Sequence, residues 1–275
     1  MTLAYDRVGS GPPLVLLHGV GHRRQAWNAV VPLLRSHREL IMVDLPGHGQ
    51  SPPFRPGGRE PVRAMAEDVI AFLAELGLDR PHLAGNSLGG ALALIAGSEG
   101  HAATVTGLSP AGFWVSRRQF TYAKAIFKVM EATGTAIQGS APRLARSTAG
   151  RALLFAAVVS RPSRLSAEQA LGDTQAFMAA RPAVDTILAH PVWFTEVVPE
   201  QVPVTIAWGS KDRMLLPSQA QVAQRRLPHA RHLPLPGCGH VPMTDNPALV
   251  AQVLLDGSTL PASTESATSE PSGEG

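Results

Sequence analysis

The segment Gly85-Asn86-Ser87-Leu88-Gly89 follows a G-x-S-x-G pattern, which sets a hydroxyl on the tip of a sharp chain reversal and nominates Ser87 as a nucleophile. Gly85 and Gly89 leave room for the two limbs of the reversal to approach, and the Leu88 N–H then points to where an oxyanion would form. A serine hydroxyl is a weak nucleophile and needs a base. Among ten histidines, His240 stands out. It sits in Gly237-Cys238-Gly239-His240-Val241-Pro242, where Gly and Pro mark a loop just beyond the strand-like run Arg231 to Leu235. His232 lies within that run and reads as packed or solvated, and His22, His37, His101, His190 and His229 have no comparable setting. The base in turn needs a carboxylate to fix its tautomer. Asp212 closely follows the apolar run Val204 to Trp208, and Asp44, after Ile41 to Val43, is its rival by position. The run Thr104 to Leu108 leads into Ser109-Pro110-Ala111-Gly112, which offers no acid.

Short apolar runs and helical patterns must position these groups, as in an open α/β sheet. His82 to Ala84 supplies the end of a strand before Ser87, and Leu88 to Ala96 supplies a helix of high local propensity after it. Catalytic groups in such sheets gather beyond the carboxyl ends of the strands, where Ser87, Asp212 and His240 all fall.

These residues resemble the α/β-hydrolase superfamily, and the likeness covers nearly all of the chain outside its tail. His18-Gly19-Val20-Gly21, after Leu14 to Leu17, looks like that family's oxyanion loop, which implies the Val20 N–H as a second donor beside Leu88. Asp44-Leu45-Pro46-Gly47-His48-Gly49-Gln50-Ser51 looks like its D-x-x-G-x-G-x-S turn, which gives Asp44 and His48 a structural role first. The order Ser87, Asp212, His240 matches the family's Ser, acid, His, and so favours Asp212 over Asp44. The resemblance implies the α/β-hydrolase fold: an eight-stranded, mostly parallel sheet with helices on both faces and an inserted helical lid. The core is expected over 1–111 and 200–256, the lid over 112–199 and a disordered Ser/Thr/Glu/Pro/Gly-rich tail over 257–275.

In the first lid helix Phe120, Ala123, Phe127 and Met130 recur at helical spacing as one apolar stripe, which either packs onto the core or faces the site. Gly19, Phe113, Trp114 and Val241 are the candidate substrate contacts, and Phe155, Phe177, Met178, Trp193 and Phe194 add apolar side chains for a pocket. From Phe113 to Ala170 the lid carries nine basic residues against Glu131 and Glu168, a local balance of +7. The bland reading is a solvated helix face, and the sharper one is steering of an anionic ester or thioester.

At 275 residues with 44% hydrophobic and 16% charged content, the chain suits one globular α/β domain with an insertion. Its lone cysteine, Cys238, forms no internal disulfide and reads as a small filler beside His240. The start, Met1 to Arg7, has an early acid and no apolar stretch of a secretory signal, and no run approaches the roughly 20 apolar residues that span a bilayer. A soluble, cytoplasmic protein is expected, acting on a small molecule, without nucleic-acid or membrane partners. The expected activity is serine esterase chemistry on a carboxylic ester, lactone or thioester, with no cofactor and no metal. Two alternatives accompany it. Gly85 to Gly90 is also similar to the nucleophile segment of carbon–carbon bond hydrolases of the meta-cleavage-product type, which often carry Trp after the catalytic His where this chain has Val241. The other is a non-catalytic small-ligand binder on the same fold. Halide-removing and epoxide-opening relatives use Asp as nucleophile, and Ser87 argues against both.

Overall fold

The computed structural model describes residues 2–260. Its strands are β1 (Tyr5–Gly9), β2 (Pro13–Leu17), β3 (Glu39–Val43), β4 (His82–Asn86), β5 (Thr104–Leu108), β6 (Val204–Gly209) and β7 (Arg231–Leu235). They form one sheet in the order β1-β3-β2-β4-β5-β6-β7, in which β1 runs antiparallel to β3 and every other pairing is parallel. The sheet therefore has seven strands among the described residues, one fewer than expected. The short stretch before Pro13 has room for a single strand and its turn, and β1 fills it on the antiparallel edge.

The helices of the core are α1 (Val31–Leu34), α2 (Pro61–Glu75) and α3 (Leu88–Ser98). Between β5 and β6 come α4 (Arg117–Ala136), α5 (Ala141–Arg146), α6 (Thr148–Phe155), α7 (Ala167–Ala179) and α8 (Arg181–Ile187), and after β6 come α9 (Ser218–Arg226), α10 (Pro242–Asp245) and α11 (Pro247–Gly257). The disordered tail was expected from residue 257, but α11 includes a buried Gly257; residues 261–275 lie outside the described residues.

Strand alternation sorts the apolar side chains into two layers. Val15 and Leu17 of β2 and Ile41 and Val43 of β3 join the core built with α2 and α3, whereas Leu14, Leu16, Leu40 and Met42 join the core under Trp27 and α11. With both faces covered, the inner strands are buried end to end, which is why they read as apolar runs rather than as alternating patterns. The order switches at β2: the chain leaves β2 for β3 on one side and returns to β4 on the other. Such a switch opens a crevice beyond the carboxyl ends of the two strands, and the loops after β2 and β4 carry His18 to Gly21 and Ser87.

Gly85 and Gly89 hold that crevice together. A Cβ at Gly85 would collide with the backbone of Gly89, and one at Gly89 with the Leu17 carbonyl. Backbone cannot yield as a flexible side chain does, so Gly85→Ala is expected to cost at least about 2 kcal/mol and to lower the thermal midpoint by roughly 4–8 °C. Gly139, with no heavy atom within 4 Å of its would-be Cβ, is the control. Calorimetry should show little change for Gly139→Ala; equal effects of the two substitutions would contradict the packing account.

Candidate active site

Ser87 stands between β4 and α3 with φ 55° and ψ −117°, a backbone state that L residues rarely adopt. Its N–H donates to the Leu108 carbonyl at 3.0 Å and its carbonyl accepts from Ala91 and Ala111, so the strained residue is held by backbone on both sides. Leu88 begins α3, and an N–H in the first turn has no acceptor within its own helix. The Gly19 backbone passes directly alongside, since a Cβ there would stand 3.2 Å from the Ser87 Cβ. Val20 follows it in the same loop, and both residues border the space in front of Ser87.

Asp212 and His240 arrive from the ends of β6 and β7 and are both almost fully buried. His240 Nδ1 lies 2.8 Å from Asp212 Oδ2. A carboxylate only accepts, so Nδ1 carries the proton and Nε2 is left as the basic nitrogen. Asp212 Oδ1 accepts from the N–H groups of Met214 and Leu215 at 2.9 and 2.8 Å, which fixes the carboxylate before it meets the ring. Asn86, the neighbour of Ser87, donates to the carbonyls of Leu108 and His240 at 3.0 and 2.9 Å, and so ties the histidine loop to the serine turn. The rival acid, Asp44, is engaged elsewhere: it accepts from the N–H groups of Arg24 and Gln50 and pairs with the Arg24 guanidinium.

Two buried imidazoles brace the loop after β2. His18 Nε2 accepts from the Leu45 N–H at 3.0 Å while its Nδ1–H donates to the Gly19 carbonyl. His48 Nε2 accepts from the Gly21 N–H at 2.9 Å while its Nδ1–H donates to the Pro46 carbonyl. Each ring needs one bare nitrogen for this, and burial enforces it: desolvation pushes His18 well down and His48 down to about 4. Both rings are therefore neutral cross-links between the two loops.

Asp245 has no counterpart in the sequence reading. Completely buried, it accepts from the N–H groups of Gly239, Ser160 and Arg161 at 2.7, 3.0 and 2.7 Å, and so joins the histidine loop to the inserted segment. The Val241 N–H donates to the Val158 carbonyl in the same join. A carboxylate five residues beyond His240 was the available signal, but backbone partners this distant cannot be read from spacing. Cys238 is buried and its thiol is pushed up to about 11, chiefly by desolvation, which leaves it protonated and unreactive at neutral pH.

Two small cavities meet at Ser87. One, of about 60 Å³, is lined by Gly19, Val20, His240, Val241 and side chains of the insertion, including Phe127, Met130 and Phe177. The other, of about 50 Å³, is lined by Val20, Leu88, Trp114, Phe120, Ala123 and Phe127 among others, and His240 is not part of it. The apolar stripe of α4 thus faces the site as well as the core. Of the four candidate contacts, Gly19, Val241 and Trp114 line a cavity and Phe113 does not. Phe113 is fully buried against Phe194 and Trp208, at ring separations of 5.3 and 6.5 Å, because the chain at the head of the insertion turns it into the core. Phe155 and Phe177 line the first cavity, whereas Met178, Trp193 and Phe194 line neither. None of the nine basic residues between Phe113 and Ala170 lines either cavity. Among the described residues no group of three or more His, Cys, Asp or Glu is placed to hold a metal ion, and no helix is long and apolar enough to cross a membrane.

The model of the Alpha/beta hydrolase family matches residues 14–253. The chain is 29% identical over 247 residues to the dihydrolipoyllysine-residue acetyltransferase component of the acetoin cleaving system of Pseudomonas putida; the match takes in 89% of this chain and 63% of that protein, less than two thirds of its length. It is 28% identical over 266 residues to a pimeloyl-(acyl-carrier protein) methyl ester esterase of Aeromonas hydrophila, with 92% of this chain and 98% of that one matched. Among solved structures, a bacterial membrane phospholipase A superposes with a TM-score of 0.73 at 26% identity, over 93% of this chain and 83% of that one.

The depressed pKa of His48 has a consequence for stability. An unfolded imidazole takes up a proton as the pH falls through about 6.5, but the folded one does not until about 4. The unfolded state therefore binds more protons in that window, and the contribution of His48, complete above 6.5, is lost as the pH falls towards 4. Urea titrations from pH 7 to 4.5 should show a steeper loss of stability in the wild type than in His48→Gln, and parallel curves would contradict a neutral buried ring.

Proposed function

Because the chain belongs to the alpha/beta hydrolase family, we propose that it is a serine hydrolase that cleaves a carboxylic ester, lactone or thioester of a small to medium hydrophobic substrate through an acyl-enzyme. The observation that carries this reading is the 2.8 Å contact of His240 Nδ1 with Asp212, which leaves Nε2 as a base in a ring that lines the same cavity as Ser87. The relationship to a protein named as a methyl ester esterase, matched over 98% of its length, supports it.

In this mechanism His240 Nε2 accepts the Ser87 proton as Oγ attacks the carbonyl carbon. The N–H groups of Val20 and Leu88 hold the resulting oxyanion, donors already fixed by the loop and the helix start and needing no reorganisation. Collapse of the tetrahedral intermediate breaks the bond to the leaving group, which His240 protonates. Water then repeats the cycle on the acyl-enzyme, with His240 as base, to release the acid. Asp212 stabilises the imidazolium that forms in each half-reaction. With one cysteine the chain needs no oxidising compartment, which supports a cytoplasmic setting.

A hydrolysis panel on purified protein tests the reading with esters of graded acyl length, lactones, acyl thioesters and dienone acids. Turnover is expected on the first three, and kcat should fall on the order of 10⁴-fold or more in Ser87→Ala and His240→Ala, with Asp212→Asn milder. Near-normal turnover by Ser87→Ala would overturn the assignment. Cleavage of the dienone acids with no action on esters would transfer the chain to carbon–carbon bond hydrolysis, and binding without turnover of any class would make it a ligand binder.

A further inference from the structure

Asp173 of α7 is a carboxylate only 5% exposed, and it lines the cavity that Ser87 and His240 share. It also lines a larger cleft of about 340 Å³ within the insertion, bordered by Ile126 and Met130 of α4, Leu153 and Phe155 of α6 and Phe177 of α7. Asp173 therefore stands where the inner cavity meets the cleft, and it is the one carboxylate among the lining residues of either. Isolated burial of a charge is costly, so its partners decide what it is for.

One oxygen is committed: Oδ1 accepts from Arg23 Nε at 3.0 Å. Arg23 follows directly on the loop that carries Val20, and its guanidinium packs over Gly172, where a Cβ would collide with it. The second oxygen has no such partner. His22 Nε2 is 3.9 Å from Oδ2, too far for a hydrogen bond. His22 Nδ1 accepts from the Arg23 N–H at 3.0 Å, which holds that ring in place rather than releasing it towards Asp173. The site is thus a fixed carboxylate with a free acceptor at the junction of the inner cavity and the cleft. Its charge is already balanced by Arg23, which favours a neutral donor over a cation.

The chemistry at Ser87 says which part of the substrate reaches this acceptor. His240 protonates the leaving group, so that group departs on the side that His240 lines, the side of Asp173, and the acyl part takes the 50 Å³ cavity from which His240 is absent. We propose that Asp173 is a specificity-determining residue that accepts a hydrogen bond from a hydroxyl or amide N–H on the leaving-group portion of the substrate, so that the preferred ester joins a short apolar acyl group to an alcohol bearing such a donor. The inference rests on the ester-hydrolysis reading above.

The test compares propionate monoesters of unbranched α,ω-diols, from ethylene glycol to hexanediol, with the alkyl propionates in which the terminal hydroxyl is replaced by methyl. A hydrogen bond to a charged acceptor in a buried site discriminates by about 10- to 100-fold. In the wild type, kcat/KM for the hydroxyl ester is expected to exceed that of its alkyl partner by this factor at one or two chain lengths. Asp173→Ala should bring the ratio to about 1 at those lengths. The ratio isolates the contact, because loss of the Arg23 pairing or of local structure lowers both rates together. A wild-type ratio near 1 at every length overturns the proposal even if no variant folds, and so does a high ratio that survives Asp173→Ala. If the wild type hydrolyses neither series but turns over other members of the hydrolysis panel, this proposal is overturned and the hydrolase reading stands; if it turns over no ester, lactone or thioester at all, that reading fails and takes this inference with it.

Discussion

The close approach of β4 to the start of α3 is the constraint on which the rest of the site depends. With no side chain at Gly85 or Gly89, the helix begins almost on top of the strand, and the one residue between them is driven to a φ of 55°. That geometry sets Ser87 beside the crevice at the switch in strand order, next to a first N–H of α3 that has no acceptor within its own helix. A serine in an ordinary turn has none of these properties, since its backbone donors would be paired and its hydroxyl free to rotate into solvent. The strain is sustained because the hydrogen bonds of the Ser87 backbone and the packing of α3, buried from Leu88 to Gly97, over-determine the turn.

Around that turn, loops that would otherwise fluctuate are fastened by buried polar side chains with backbone partners. His18 and His48 cross-link the loops after β2 and β3, Asn86 joins the serine turn to the histidine loop, and Asp245 joins the histidine loop to the inserted segment. His18, His48 and Asp245 are paired at both of their polar side-chain atoms, which is the condition under which a buried polar group orders a structure instead of costing stability. Asp173 departs from this rule because one of its oxygens lacks a hydrogen-bond partner, and this separates a group held ready for a ligand from a group that only braces the fold.

Much of this was legible in the sequence. The inner strands are buried on both faces and so appear as apolar runs, and β5 and β7 have the bounds those runs suggest. Ser87, Asp212 and His240 were marked by glycines and prolines at strand ends, and the structure brings the last two into hydrogen-bond contact. Other features depend on directions that one-dimensional patterns do not encode. The exposed edge strand β1 has a weak apolar signature. Phe113 and Trp114 are adjacent and chemically alike, yet one turns into the core and the other into a cavity. The pairing of Arg23 with Asp173 spans 150 residues, and the roles of both follow from packing between the insertion and the loop after β2.

The central claim is that Ser87 is made nucleophilic by the imidazole that Asp212 orients. Covalent labelling by a fluorophosphonate, followed by peptide mass mapping, tests it without knowledge of the natural substrate. The account predicts a single adduct on the peptide that contains Ser87, formed rapidly in the wild type and far more slowly in His240→Ala. An adduct elsewhere, or labelling of Ser87 at a rate indifferent to His240, would contradict it.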